Sequence, residues 1–256
     1  MLNKIGLALG SVAVGLGLVL TGCSGAPAQP QATTVTVFAA ASMKPTFDVL
    51  KTTFEAAHPG TTVALNYAGS QALATQLKEG AKADVFVSAN DTQMKVVTDA
   101  GLNASDPKVF ATNQLQIAVS PANPAKIAAF KDLSTSGVKL VVCAPAVPCG
   151  AATVKLEKAT GVTLKPVSEE QDVTSVLNKV KTAEADAGLV YKTDVISAKD
   201  AVTGIEFPES SEAINRNPVV LLKNAPQAEL GQAWIDLLFS EQGQKVFAEA
   251  GFGAAQ

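Results

Sequence analysis

The stretch GSQALATQLKEGAKADVFVSA, residues 69–89, decides the fold. It begins with small residues, continues in a pattern typical of a capped helix of about three turns, and ends in an apolar strand. The stretch DVTSVLNKVKTAEADAGLVYK, residues 172–192, repeats this plan, and the two Ala-Asp pairs align with one gap. Because 256 residues leave room for two lobes of roughly 100 residues, we interpret the repeat as one unit in each lobe.

The rest of the chain also alternates apolar runs with amphipathic segments. Strands are predicted at TTVTVFAAA (33–41), TTVALNYAG (61–69), LQIAVS (115–120), VKLVVCA (138–144) and NPVVLLKN (217–224). Helices are predicted after several of them, and one long helix is predicted over residues 227–251. This alternation indicates an α/β protein with parallel, doubly wound sheets.

Four predicted strand-to-helix turns share small or neutral residues. Ser42, Ser70, Cys149 and Val173 each lie at or next to a predicted helix start, and Tyr191 ends a predicted strand. The first N–H groups of a helix lack intrahelical partners and carry partial positive charge, so such turns bind anions without a charged side chain. Ordinary helix capping explains any one serine. Four similar turns at the carboxyl ends of strands suggest a shared site.

The residue inventory narrows the ligand. The chain has one arginine, Arg216 in a predicted loop, and one histidine, His58, which disfavours a carboxylate-binding fork and a metal cluster. Trp234 is expected in the core rather than stacked on a sugar, and Glu169 and Glu170 on a solvated face. With 20 Lys and Arg against 23 Asp and Glu and no basic block, nucleic acid is not an expected partner. A small anion held by neutral donors remains.

The first 33 residues are expected to lie outside the fold. Residues 1–22 contain Lys4 followed by an uncharged stretch rich in Leu, Val, Gly and Ala, as in a secretory signal peptide; the alternative is a retained transmembrane helix. The sequence LTGC, which ends at Cys23, predicts a bacterial lipobox with the lipid on Cys23. Residues 23–33 are predicted to be a Pro-rich tether, so the protein is expected to be exported and anchored to the outer side of the cell membrane.

Export also bears on the two remaining cysteines. Cys143 and Cys149 are six positions apart across a tight turn, and an exported protein meets an oxidising environment. We expect a disulfide between them, with two buried thiols as the alternative.

Four motifs carry a resemblance to a known family: VFAAAS, YAGSQALATQLKEGAKADVFVSA, VPCGAAT and GLVYKTD. With them, residues 34–252 resemble the periplasmic molybdate-binding proteins of ABC importers, in a form similar to actinobacterial lipoproteins. The resemblance implies a two-lobed periplasmic-binding-protein fold of type II, with each lobe a sheet flanked by helices and the ligand in the cleft. Cys149 departs from the family, which usually has a small residue such as Ala at this position. The ligand groups that it implies are the hydroxyls of Ser42, Ser70 and Tyr191 and four backbone N–H groups, near Ser42, Ser70, Cys149 and Val173.

The resemblance also implies a domain order and a function. Residues 34–112 and 209–256 would form lobe 1 and residues 113–208 lobe 2, with two crossovers as the hinge. The chain would be a monomeric, lipid-anchored binding protein that delivers molybdate, and also tungstate, to an ABC permease. It would use no cofactor, and molybdenum would be bound only as the oxyanion, with no direct protein ligand.

Two alternatives stay open at this point. Molybdate is a fully deprotonated dianion that suits a site of donors alone, whereas a phosphate site needs an acceptor for the proton of the ligand. Sulfate also lacks the proton, and the sequence does not give the cavity size, so another oxyanion such as sulfate remains an alternative. A secreted serine hydrolase that uses Ser42 or Ser70 is the alternative from another class. It lacks a nearby base, since His58 is expected at the far end of a helix and Lys44 does not face Ser42.

Overall fold

The computed structural model describes residues 33–255, so the predicted signal peptide, Cys23 and most of the tether lie outside the described residues. Ten strands are present in this part of the chain: β1 Thr33–Ala40, β2 Thr61–Ala68, β3 Val85–Val87, β4 Lys108–Asn113, β5 Leu115–Val119, β6 Leu140–Cys143, β7 Ser168–Glu170, β8 Ala187–Tyr191, β9 Thr203–Ile205 and β10 Asn215–Leu221. They form two five-stranded sheets with the orders β2-β1-β3-β10-β4 and β7-β6-β8-β5-β9.

Eight α-helices connect or cover the strands: α1 Lys44–Ala57, α2 Ser70–Lys78, α3 Asp91–Asp99, α4 Pro148–Thr160, α5 Val173–Lys181, α6 Lys192–Ala198, α7 Ala228–Phe239 and α8 Glu241–Glu249. Short 3-10 turns cover Ala41–Met43, Phe130–Ser134, Lys199–Ala201 and Pro208–Ala213. We call β1–β4, β10, α1–α3, α7 and α8 the first lobe, and β5–β9 with α4–α6 the second lobe. Among the described residues, no helix combines the length and apolar character that a membrane span requires.

Each lobe has a sheet flanked by helices, as expected, but both sheets are mixed rather than parallel throughout. Strand β10 runs antiparallel to β3 and β4, and β5 runs antiparallel to β8 and β9, while the other pairings are parallel. The chain passes from the first sheet to the second between β4 and β5, and it returns between β9 and β10. Strands β5 and β10 enter their sheets directly from the other lobe. They do not follow a βαβ unit, the connection that makes two strands of a sheet parallel.

The C-terminal segment forms two helices instead of the single helix predicted over residues 227–251. Ser240 has extended backbone angles (φ −67°, ψ 159°), and its Oγ accepts a hydrogen bond of 3.1 Å from Gly243 N. A serine side chain that satisfies a free N–H group in this way starts a new helix. The chain therefore turns between α7 and α8, and both helices pack against the first sheet.

Each lobe has its own apolar core. Trp234 is fully buried in the first lobe and meets Phe47 and Phe54 edge-to-face at 5.4 and 5.5 Å, which confirms that it is a core residue. In the second lobe Phe130 stacks on Phe207 at 5.4 Å beneath the second sheet. The apolar clusters of the described chain, two in the first lobe and one in the second, do not cross between the lobes, and the lobes meet along a cleft.

Candidate functional site

A small cavity in the cleft brings together all five predicted ligand residues. Its volume is about 10 Å³, because the walls from the two lobes lie close together around it. The cavity is lined by Ala40, Ala41, Ser42, Gly69, Ser70 and Ala89 of the first lobe and by Val147, Pro148, Cys149, Asp172, Val173 and Tyr191 of the second.

Two hydroxyl groups in the cavity wall have no partner within the described chain. Ser42 Oγ and Tyr191 Oη are both buried and make no hydrogen bond. A buried hydroxyl without a partner costs about 1–3 kcal/mol, which a hydrogen bond to a ligand oxygen would offset. The other buried side-chain atoms without partners among residues 33–255 belong to Gln71, Asn217 and Trp234, none of which lines the cavity.

Ser70 supplies a third hydroxyl in a different way. Its Oγ accepts a hydrogen bond of 3.0 Å from Ala89 N. The hydroxyl proton is therefore left to donate to a ligand, while the accepted bond fixes the oxygen at the cavity wall.

Ordinary capping does not explain Ser42 or Ser70. The N-cap of α2 is Gly69 and that of α4 is Val147, and neither helix start has a side-chain cap. The 3-10 turn that contains Ser42 likewise has Ala40 as its N-cap, and no side chain caps it. The first N–H groups of these elements are left for backbone donation at the cavity.

The start of α4 is shaped by a disulfide. Cys143 and Cys149 are bonded across the loop that leads from β6 into α4. Gly150 follows in the first turn, where a Cβ atom would lie 1.9 Å from Ala144 O. A residue without a side chain is thus required for the loop to fold back on the helix start, and this close packing presents the Cys149 backbone to the cavity.

Asp172 also lines the cavity, so the site is not made of donors alone as the sequence suggested. Its carboxylate caps α5 by accepting from Ser175 N at 2.9 Å and from Ser175 Oγ at 3.0 Å. The pattern Asp-x-x-Ser at a helix start could have revealed this cap. The carboxylate oxygens face their own helix, and the negative charge stands beside the Val173 backbone.

The electrostatic environment keeps Tyr191 protonated. Burial, and secondarily the charge of Asp194, raise the pKa of the Tyr191 hydroxyl well above its usual value of 10.0. The Asp194 carboxylate accepts a hydrogen bond of 2.9 Å from Tyr191 N. Burial, with a smaller contribution from the charge of Asp172, raises the pKa of Asp194 to about 7 against the opposing effect of this hydrogen bond. The Tyr191 hydroxyl therefore keeps its proton at physiological pH.

A larger cavity of about 430 Å³ lies in the second lobe, beside β9. Its polar side chains are partnered: Gln114 Nε2 donates to Ser210 Oγ at 2.6 Å, and Gln116 Nε2 donates to Glu206 Oε1 at 3.1 Å. Lys192 also pairs with Glu206, at 3.5 Å. Since its polar groups satisfy one another, this cavity is a weaker candidate than the small one between the lobes.

The charged and metal-binding alternatives find no support near the cavity. Arg216 lies in β10, not in a loop as predicted, and pairs with Asp91 at 3.2 Å. Glu170 lies in β7, where the hydrogen bonds from Lys179 and then Ser168 lower its pKa. Within residues 33–255, no three His, Cys, Asp or Glu side chains are grouped as a metal site would need.

The histidine is far from the candidate nucleophile. His58 ends α1, where its Nδ1 lies 2.9 Å from Phe54 O, whereas Ser42 lies just before the start of this 14-residue helix. At 1.5 Å per residue the two are separated by about 20 Å. His58 is therefore not a base for Ser42.

Comparisons with known proteins agree with the fold and the cavity. The family model described as bacterial extracellular solute-binding protein matches residues 35–253. The chain is similar to the molybdate-binding protein ModA of Mycobacterium tuberculosis, with 44% identity over 97% of this chain and 98% of that protein.

Two solved structures share the architecture. The periplasmic molybdate-binding protein of Azotobacter vinelandii aligns with a TM-score of 0.77 and 19% identity, over 87% of this chain and all of that chain. The sulfate-binding protein SubI of Mycobacterium tuberculosis aligns with a TM-score of 0.76 and 16% identity, over 86% of each chain. At these identities the likeness shows the two-lobed fold of type II periplasmic binding proteins and does not distinguish one oxyanion from another.

Proposed function

The chain belongs to the family of bacterial extracellular solute-binding proteins, and from this premise we propose that it binds molybdate and hands it to an ABC importer. The observation that carries the proposal is the pair of buried hydroxyls, Ser42 Oγ and Tyr191 Oη, which reach one cavity from opposite lobes without protein partners. The family consists of solute-binding proteins rather than enzymes, so the hydrolase alternative is set aside.

The donor set suits a tetrahedral dianion. Three hydroxyls, from Ser42, Ser70 and Tyr191, would each donate to one oxyanion, and the backbone N–H groups at Cys149 and Val173 would complete the shell. Hydrogen bonds to a charged group contribute about 1.5–3 kcal/mol each, roughly twice as much as neutral ones. The name of the 44% identical relative favours molybdate among such anions. Tungstate, with the same charge and shape, is expected to bind as well.

Sulfate is the second candidate, because the sulfate-binding protein SubI shares the two-lobed fold. Sulfate presents the same four acceptors in a smaller tetrahedron. The two ligands would therefore differ in how closely the lobes must approach, and a direct titration distinguishes them.

The proposal includes a place in the cell and a division of the chain. Residues 1–22 would be removed as a signal peptide, Cys23 would carry the lipid, and residues 23–33 would tether a monomer outside the cytoplasm. Residues 34–112 and 209–256 would move as one body and residues 113–208 as the other. The ABC permease would be the partner that recognises the protein.

Calorimetric titration of the exported chain with molybdate, tungstate, sulfate and phosphate tests the proposal. We expect tight binding of molybdate and tungstate, weaker binding of sulfate and none of phosphate. The same titration of Tyr191→Phe tests the proposed donor, with Tyr67→Phe as the matched control. These are the only two tyrosines, and Tyr67 Oη donates to Asp48 Oδ1 (2.8 Å) outside the cavity. Sulfate binding tighter than molybdate would replace the proposed ligand, and no binding of any of the four would refute the proposal.

A further inference from the structure

Two glutamine side chains bridge the cleft beside the cavity. Gln71, the second residue of α2, donates from Nε2 to Gln171 O at 2.8 Å. Gln93, the third residue of α3, donates from Nε2 to Ala146 O at 3.0 Å. In both cases the donor belongs to the first lobe and the acceptor is a backbone carbonyl of the second lobe.

The acceptors are directly linked to cavity residues. Gln171 precedes Asp172 and Val173, which line the cavity. Ala146 lies in the loop closed by the Cys143–Cys149 disulfide, next to Val147 of the cavity wall. Each bond therefore ties the first lobe to a segment of the second lobe that carries a predicted backbone donor for the anion.

Other bonds between the lobes lie near the chain crossing. Asn113 Nδ2 donates to Thr193 Oγ1 at 2.9 Å, and Lys192 N donates to Gln114 O at 2.9 Å, both next to the passage from β4 to β5. Bonds close to a hinge change little when two lobes rotate apart, whereas bonds at the cleft edges break. The two glutamine bonds therefore depend on closure, as does a longer contact of 3.5 Å from Asn215 Nδ2 to Pro148 O.

Gly69 shows how closely the cleft edges approach. Its φ of −59° is accessible to any residue, so its backbone conformation does not require glycine. A Cβ atom at this position would instead lie 2.2 Å from Gln171 O and 2.6 Å from Gln71 Nε2. The absence of a side chain lets the carbonyl and the glutamine amide meet.

We propose that Gln71 and Gln93 are latch residues, positioning residues that hold the cleft closed over the bound anion and so slow its release. This inference rests on the proposed function and extends it to the dissociation step. Each latch is weak: both bonds lie at exposed sites, and Gln71 Oε1 is buried without a partner, which offsets part of the gain. A neutral hydrogen bond contributes about 1 kcal/mol, so loss of the Gln93 latch should raise the dissociation rate about fivefold, loss of the Gln71 latch somewhat less, and loss of both by up to about 30-fold. Association should change little, since most affinity differences within one site lie in dissociation.

The test compares Gln71→Met, Gln93→Met and the double variant with Gln232→Met in the full chain. Methionine is close to glutamine in size and lacks the donor, and Gln232 is an exposed control that bonds only within α7, from Nε2 to Asp236 Oδ1 at 2.8 Å. Release of radiolabelled molybdate is followed by rapid filtration. Hydrogen exchange at residues 147–150 and 172–174 is measured in the ligand-free chain, with Gly69→Ala as a second way to hold the cleft open.

Faster release and faster exchange in the latch variants, with the control unchanged, would support the inference. If the parent chain binds no molybdate, the proposed function fails, and hydrogen exchange alone then decides on the latch. Release and exchange indistinguishable from those of Gln232→Met would overturn it.

Discussion

Ser42 Oγ and Tyr191 Oη face one cavity from opposite lobes, and neither has a hydrogen-bond partner in the described part of the chain. This pairing separates the effects of mutation on binding from those on stability. Such a hydroxyl is unsatisfied in the free protein and bonded to the ligand in the complex. Its removal should therefore weaken binding without lowering the stability of the free protein. The predictions below use this contrast.

Tyr191→Phe should weaken molybdate binding about ten- to a hundredfold, because one hydrogen bond to a charged group is lost. The free energy of unfolding of the ligand-free chain should stay the same or rise, since an unpartnered buried hydroxyl is removed. Calorimetry and urea unfolding measure the two effects, with Tyr67→Phe as the control. Unchanged or tighter binding by Tyr191→Phe, or a clear loss of ligand-free stability, would contradict the assigned role.

Ser42→Ala and Ser70→Ala should weaken binding by similar factors but differ in stability. Ser70 Oγ accepts the hydrogen bond of Ala89 N, so its removal leaves a buried N–H group unpaired at a cost of about 1–3 kcal/mol. Ser42 accepts no such bond, so Ser42→Ala should leave the ligand-free chain as stable as the parent. Urea unfolding without ligand separates the two variants, and equal destabilisation by both would count against this distinction.

Asp172→Asn should bind the dianion severalfold more tightly. Asparagine keeps the cap of α5 by accepting from Ser175 N but removes a negative charge from the cavity wall. Asp172→Ala also removes the charge, yet it should destabilise the chain by about 1 kcal/mol through loss of the cap. Weaker binding by Asp172→Asn at unchanged stability would show that the carboxylate assists the ligand.

Asp194 should make stability depend on pH. Its pKa is raised by burial from an ordinary 3.8 to about 7. Between these values the folded chain keeps the proton and the unfolded chain loses it, so the free energy of unfolding falls as the pH rises from about 4 to about 7. The loss is up to roughly 4 kcal/mol.

The variant Asp194→Asn should flatten this dependence, because its amide oxygen still accepts from Tyr191 N but does not ionise. Urea unfolding of ligand-free parent and variant across this pH range measures the difference, in which the titration of all other groups cancels. Parallel pH curves for the two proteins would exclude Asp194 as the source.

Cys149→Ala should have little direct effect on the ligand, because the proposed contact uses only the backbone N–H group. Loss of the short disulfide loop should lower the free energy of unfolding by roughly 2 kcal/mol. The matched variant Cys143→Ala breaks the same disulfide away from the cavity wall, so the two should bind alike under reducing conditions. A selective loss of binding in Cys149→Ala would assign a role to its side chain.

The residues that line the cavity could be predicted from the sequence better than the directions of the strands. The turns of small residues at Ser42, Ser70, Cys149 and Val173 are local patterns. The parallel strands that precede them end at the same edge of their own sheet, which brings the turns of each lobe together. The edge strands β4 and β9 were not predicted, since their sequences KVFATN and TGI lack a clear apolar run. Strand direction at the crossings and the break at Ser240 depend on tertiary contacts that a periodic pattern does not contain.

The contacts across the cleft were also beyond the sequence. Gln71 and Gln171 are 100 positions apart, and although Gln71 lies in one of the four motifs, nothing in that pattern points to Gln171. The sequence shows Asp172 only as the residue before a predicted helix. In the structure it places a negative charge at the cavity. Such features depend on how closely the two lobes approach, which only coordinates supply.

A crystal structure of the chain grown with molybdate, phased on the anomalous signal of molybdenum, tests the central claim most directly. We predict one strong molybdenum peak between the lobes, with anion oxygens within hydrogen-bond distance of both Ser42 Oγ and Tyr191 Oη. A peak elsewhere, such as beside Lys192 in the larger cavity, or a cleft without molybdenum at saturating ligand, would contradict the account.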